Sequence, residues 1–97
     1  MVIKKNVNGS EMVIELEGRL DTNTAPDLEK EVSDLAGIKL LIFDFAKLEY
    51  VSSAGLRIIL SCQKQMDLQG NMIIKNVNES IKDVLDITGF SDVLTIE

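Results

Sequence analysis

Two rhythms of hydrophobic and polar positions take turns along this chain. One has the period of two of a half-buried strand, the other the three-and-four spacing of an amphipathic helix. Segments 2-VIKKNV-7 and 11-EMVIELEG-18 read as strands; in the second, Met12, Ile14 and Leu16 share one face and Val13, Glu15 and Glu17 the other. Asn8-Gly9 lies between them, the pair favoured in tight hairpin turns because both residues tolerate positive φ. In 24-TAPDLEKEVSDLAG-37, Leu28, Val32 and Leu35 recur at steps of four and three, which predicts a helix with one buried stripe. Thr24 is its expected cap, with Asp27 at capping-box distance, Pro26 tolerated in the first turn and Gly37 as the stop.

The segment 39-KLLIFDFA-46 is apolar on both parities, which predicts a central strand covered on both faces and flanked by helices. A second helix follows over 53–69, with Leu56, Ile59, Leu60 and Cys62 inward and Gly70 ending it. Residues 71-NMIIKN-76 make another strand. Asn78 is placed to cap a third helix in which Ile81, Val84, Leu85 and Thr88 share a face, Gly89 closes it, and 93-VLTIE-97 is a short last strand. The order β-β-α-β-α-β-α-β predicts one α/β domain over residues 1–97. Its mixed central sheet has about five strands, with right-handed parallel crossovers and helices packed on it.

Composition narrows the function. At 97 residues and 45% apolar content the chain has enough hydrophobic surface for one core without disulfide or metal staples. Folding at this size removes roughly 60–70% of the unfolded chain's surface. A formal net charge of −6 opposes a phosphate backbone and an anionic lipid surface, so neither nucleic acid nor membrane is an expected partner. Cys62 is the only cysteine, which excludes an internal disulfide and every multi-cysteine metal motif. The stretch MVIKKNVNGS lacks the apolar run of a signal peptide, and 40-LLIF-43 is far too short to span a bilayer. A cytoplasmic protein is expected, with no metal and no cofactor.

Catalysis has little to work with. The chain has no histidine, which removes serine–histidine and cysteine–histidine nucleophile systems. No GxxxxGK loop is present, and no GxGxxG follows a strand. Its 16 carboxylates show no spacing that singles out an acid/base pair, so an enzyme is not expected. Asp44 ends the apolar strand, where a phosphate-accepting aspartate can sit. That chemistry also needs an acidic pair near the first strand and a later strand-end lysine, both missing, so Asp44 reads as an acceptor for the following loop. Asp21, in 18-GRLDTNTAP-26, is either a turn residue or an exposed polar contact on the same rim as Ser52 and Ser53. A serine just before a helix is ordinarily its cap. Ala54 and Gly55 leave the backbone bare there, which lets another protein's active site approach the hydroxyl.

Three segments together resemble one family. The stretch 44-DFAKLEYVSSAGLRIIL-60 is similar to the STAS pattern of a strand-end Asp, a Leu four residues on, then Asp/Ser-Ser-Ser/Thr/Ala-Gly-Leu. Asp44, Leu48, Ser52, Ser53, Ala54, Gly55 and Leu56 fall on that pattern. The stretches 18-GRLDTNTAP-26 and 85-LDITGF-90 resemble two further STAS segments, Gly-x-Leu-Asp-x-x-Thr-Ala and Leu-x-x-Thr/Ser-Gly-Leu/Phe. The family comprises bacterial anti-sigma factor antagonists and the sulfate-transporter C-terminal domain.

The resemblance implies a switch. An unphosphorylated antagonist binds an anti-sigma factor that is itself a serine kinase, and so frees the sigma factor. Phosphorylation turns it off, and a PP2C-type phosphatase restores it. Aligned on Gly-Leu, the acceptor is Ser53, so one residue is expected to serve as both cap and switch. The implied partner surface joins Asp21, Thr22, Asn23 and Thr24 to Ser52, Ser53, Ala54, Gly55 and Leu56, on a monomer or weak dimer. Many antagonists carry Asp directly before the acceptor; this chain carries Ser52. The alternative is an unphosphorylated STAS subunit with a scaffold or regulatory role in a signalling or transport complex.

Overall fold

The structure, a computed structural model, describes residues 1–97. Strands β1 (Val2–Asn8) and β2 (Glu11–Leu20) form the opening hairpin. Asn8 pairs with Glu11, so the turn's central residues are Gly9 and Ser10, one position later than the sequence suggests. Gly9 takes the positive φ, +64°, that the first position of such a turn demands. The chain continues through α1 (Ala25–Glu31), β3 (Leu40–Val51), α2 (Ser53–Gln69), β4 (Asn71–Lys75), α3 (Glu79–Ile87) and a 3₁₀ turn at Phe90–Asp92. The sheet order is β1-β2-β3-β4; β1 runs antiparallel to β2, while β2, β3 and β4 are mutually parallel. The expected α/β architecture is therefore present, with four strands rather than five. Residues 93–97 contribute only an isolated bridge between Ile74 and Ile96, because the N–H groups of Val93 and Leu94 turn back to the Phe90 carbonyl, at 3.1 and 2.9 Å, and leave three residues for pairing.

A cluster of 23 buried residues forms the core. Met12, Ile14 and Leu16 enter it from β2, Leu28 from α1, Leu56, Ile59, Cys62 and Met66 from α2, and Ile81 and Leu85 from α3. All three helices thus cover the same face of the sheet. Ile42, of the other parity, is buried yet lies outside the cluster. It is flanked instead by its neighbours in the ladder, Val13 and Ile73. The expectation of helices on both faces of β3 is corrected accordingly: the second face is shielded by neighbouring side chains, and Glu15 and Glu17 on it are exposed.

Two element boundaries also differ, each for a local reason. β3 runs on to Val51 rather than stopping at Ala46, because irregularities in its pairing with β2 change the rhythm. Inward side chains are Phe43, Phe45, Leu48 and Val51, at steps of two, three and three, which hides the strand from a period-of-two reading. α1 stops at Glu31, not at Gly37. The Ser33 hydroxyl donates to the Lys30 carbonyl at 2.8 Å, and Asp34 Oδ1 accepts the Ala36 N–H at 3.1 Å. Such side-chain bonds offer the backbone an alternative to the helical ladder. Leu35 is still buried in the core, outside the helix.

Candidate partner-binding site

The parallel strands β2 and β3 end side by side, with Leu20 paired to Val51, and the chain leaves both at one rim. The Ser52 N–H donates to the Leu20 carbonyl at 2.8 Å, tying the two exits together. Ligands of open α/β sheets gather outside the carboxyl ends of the strands, which is where this rim lies.

On the β2 side, Asp21 organises a turn. Its Oδ1 accepts the N–H groups of Asn23 at 3.0 Å and Thr24 at 3.1 Å, and its carbonyl accepts the Ala25 N–H at 2.8 Å. Thr24 Oγ1 accepts the Asp21 N–H and donates to the Arg19 carbonyl, both at 2.8 Å. That hydroxyl is fully committed, so Thr24 precedes α1 without capping it through its side chain, and the expected capping box with Asp27 does not form. Partial desolvation in the turn pushes the Asp21 carboxyl up. The N–H groups of Thr24 and Asn23, the Thr24 hydroxyl and the nearby Arg19 outweigh it and hold the group below its ordinary value. Arg19 also lies over the ring of Tyr50, its partner across the ends of β2 and β3, 4.2 Å from the ring centre. Thr22 and Asn23 are left exposed at the tip.

On the β3 side, the two serines divide the work. Ser52 is the N-cap of α2: its backbone is extended (φ −95°, ψ 172°) and its Oγ accepts the Gly55 N–H at 3.3 Å. Ser53 is the first helical residue, is exposed, and its hydroxyl makes no hydrogen bond within the chain. Cap and proposed acceptor are therefore two residues, which corrects their expected coincidence at Ser53. Ala54 is half-buried; Gly55 and Leu56 are buried and offer no side chain to a partner. A Cβ on Gly55 would stand 2.5 Å from Leu20 Cγ, so its bareness serves the contact between α2 and β2 and not access to the serine.

Thr22 and Ala54 line a shallow open depression between α1 and α2, together with Glu29 and Arg57. The structure thus brings both sequence segments to one surface. Arg57 is absent from the sequence reading, although its position four residues after Ser53 on one helix was legible there. Asp44 lies within β3 rather than at its end, and its Oδ1 accepts the Ala46 N–H at 2.9 Å and Asn76 Nδ2 at 3.0 Å. Cys62 is buried and its thiol pushed up to about 12 by desolvation, which leaves it protonated and inert. No helix is long and apolar enough to cross a membrane.

Fold and rim together define a small α/β domain that presents the unengaged Ser53 hydroxyl, at the start of a helix, beside a hydrogen-bonded polar turn. The STAS domain family matches residues 2–97, and the chain belongs to that family. It is similar to the anti-sigma-B factor antagonist of Bacillus subtilis, with 29% identity over 97 residues, covering 97% of this chain and 86% of the relative. BtrV of Bordetella bronchiseptica, provisionally named an anti-sigma factor antagonist, is 30% identical over 84 residues, covering 84% of this chain and 72% of BtrV. Among solved structures, unphosphorylated SpoIIAA, an anti-sigma factor antagonist, superposes with a TM-score of 0.79 at 19% identity, covering 99% and 87% of the two chains. An anti-sigma factor antagonist from Mycobacterium paratuberculosis gives 0.85 at 18% identity, covering 98% and 83%. At such identities the structural likeness establishes the shared fold.

Proposed function

We propose that this protein is an anti-sigma factor antagonist of the cytoplasm, without catalytic activity of its own, that is switched at Ser53. The unphosphorylated chain binds an anti-sigma factor with serine kinase activity and so frees a sigma factor; a PP2C-type phosphatase reverses the modification. The observation that carries this reading is the exposed, unbonded Ser53 hydroxyl at the first position of α2, next to a neighbour that has taken over the cap. In the kinase reaction the Ser53 oxygen forms a bond to the γ-phosphorus of ATP as the bond to ADP breaks, and the hydroxyl proton leaves to a base of the kinase.

The energetics of such a switch are lopsided. Phosphate adds about −1.5 to −2 charges at a helix N-terminus, where free N–H groups favour it by at most about 2 kcal/mol. Desolvating the same dianion against a partner shaped for a hydroxyl costs several kcal/mol. Since each 1.4 kcal/mol is about tenfold in affinity, losses of about 100-fold or more follow without unfolding the domain. SpoIIAA has been solved in a phosphorylated form as well, and this chain superposes on that form with a TM-score of 0.77. A fold shared by both forms is what a switch acting through the partner surface requires.

The test uses kinase-type anti-sigma factors encoded beside this chain, with ATP. One phosphate is expected on the wild type and none on Ser53→Ala, and Ser53→Asp should bind the kinase about 100-fold more weakly at unchanged thermal stability. Labelling confined to Ser52 would overturn Ser53 as the acceptor, and no labelling with any such kinase would point instead to the unphosphorylated scaffold or regulatory subunit.

A further inference from the structure

We propose that Arg57 pairs in cis with the phosphate once Ser53 is modified, so that one event both adds a dianion to the docking surface and removes a free cation from it. This deepens the reading above and rests on Ser53 as the acceptor. Ser53 and Arg57 are both exposed and stand four residues apart on α2. Residues at that spacing are neighbours, with Cβ atoms about 5–6 Å apart. Helical Cα–Cβ bonds tilt toward the N-terminus, so a long side chain at position 57 leans back over the first turn. The order is also the favourable one, with the anion N-terminal to the cation.

Nothing else in the chain holds the guanidinium. The salt bridges engage Lys5, Arg19 and Lys82 as their cations, and Arg57 is in none of them. Glu29 lines the same depression without forming an ion pair with it, and the first turn of α2 carries no acidic side chain. Before modification Arg57 therefore faces the docking surface unpaired, beside Thr22 and Ala54. A planar guanidinium offers paired N–H donors that match phosphate oxygens, which a lysine ammonium does not reproduce.

Phosphoserine can be encoded directly at position 53, so the experiment needs no kinase. The second phosphate ionisation is followed by ³¹P NMR against pH, at low salt, in the otherwise native chain and with Arg57→Gln or Arg57→Lys. A cation beside the dianion stabilises it and lowers that ionisation. Arg57→Gln should therefore raise the midpoint by about 0.2–0.4 pH units, Arg57→Lys should raise it less, and 1 M salt should erase the difference. Equal midpoints in all three chains at low salt overturn the pairing and leave phosphorylation of Ser53 untouched. Failure of every kinase to modify unmodified Ser53 overturns the switch, while the titration still reports whether Arg57 meets a phosphate there.

Discussion

The two ends of α2 are built on opposite principles. At its start, short polar side chains close the backbone: Ser52 caps the helix, Asp21 and Thr24 hold the adjoining turn, and on the helix itself the Ser53 hydroxyl is left over. At its end the closure is mostly main chain. Lys39 N–H donates to the Ser10 carbonyl at 2.7 Å, Asn71 N–H to the Lys39 carbonyl at 2.9 Å, and Gly70 N–H to the Met66 carbonyl at 2.6 Å. Gln69 adds side-chain bonds to the carbonyls of Leu35 and Ile38, at 2.6 and 2.8 Å. One end can therefore take a new group and the other cannot. The difference is between surplus and saturation in hydrogen-bonding groups, and the proposed switch sits at the end with the surplus.

The sharpest way to break this contrast is Gly70→Ala. A Cβ there would stand 2.7 Å from the Lys39 carbonyl carbon and closer still to its oxygen, and Lys39, just before β3, is held on both sides by its bonds to Ser10 and Asn71 and has little room to yield. A loss of about 3 kcal/mol or more is expected, read as a lower urea midpoint or failure to fold; a loss under about 1 kcal/mol would show that the closed end is softer than its bonds imply. Gly55→Ala comes next. Its Cβ would press on Leu20 Cγ at 2.5 Å and Cδ2 at 2.8 Å, a buried side chain rather than backbone. Overpacking costs about 1–3 kcal/mol, and relief of the helical glycine returns up to about 1 kcal/mol. A net loss of about 1–2 kcal/mol should result. It should shrink in the Leu20→Ala background, where the obstructing atoms are gone; strict additivity there would remove Leu20 as the cause.

This glycine also shows where sequence reading reached and where it stopped. Alternation in β2, the three-and-four spacing of α2 and the polar punctuation between elements depend on neighbours in the chain, and they placed the hairpin, the parallel crossovers and the serine-bearing rim. Gly55 stands out in the sequence, but its reason lies in Leu20, thirty-five residues earlier and in contact only after folding. The lost regularity of β3 is similar: its irregular pairing is set jointly with β2, so Leu48 and Val51 fall out of step with any single-strand pattern. Spacing alone extends α1 too far because Leu35 keeps the helical spacing and the burial while Ser33 and Asp34 divert the backbone. Spacing reports which side chains are buried more faithfully than which backbone bonds hold them.

The smallest expected effect discriminates most finely, because it separates the two serines. Ser52→Ala deletes the acceptor for the Gly55 N–H and should lower stability by about 1 kcal/mol, within the 0.5–2 kcal/mol typical of a lost N-cap. Ser53→Ala removes a hydroxyl that bonds to nothing in the chain and inserts the best helix former, so its stability should stay within about 0.5 kcal/mol of the wild type. Ser52→Asp sharpens the test, since aspartate and serine rank alike as N-caps and a carboxylate at that position also favours the helix dipole. Its urea midpoint should match or exceed that of the wild type, which would make the serine here and the aspartate of many antagonists two solutions to one capping requirement. If Ser53→Ala proved the more destabilising of the two alanine variants, the cap would belong to Ser53. A phosphate added there would then break a helix end, and the switch would act by unfolding the first turn rather than by repelling a partner from an intact one.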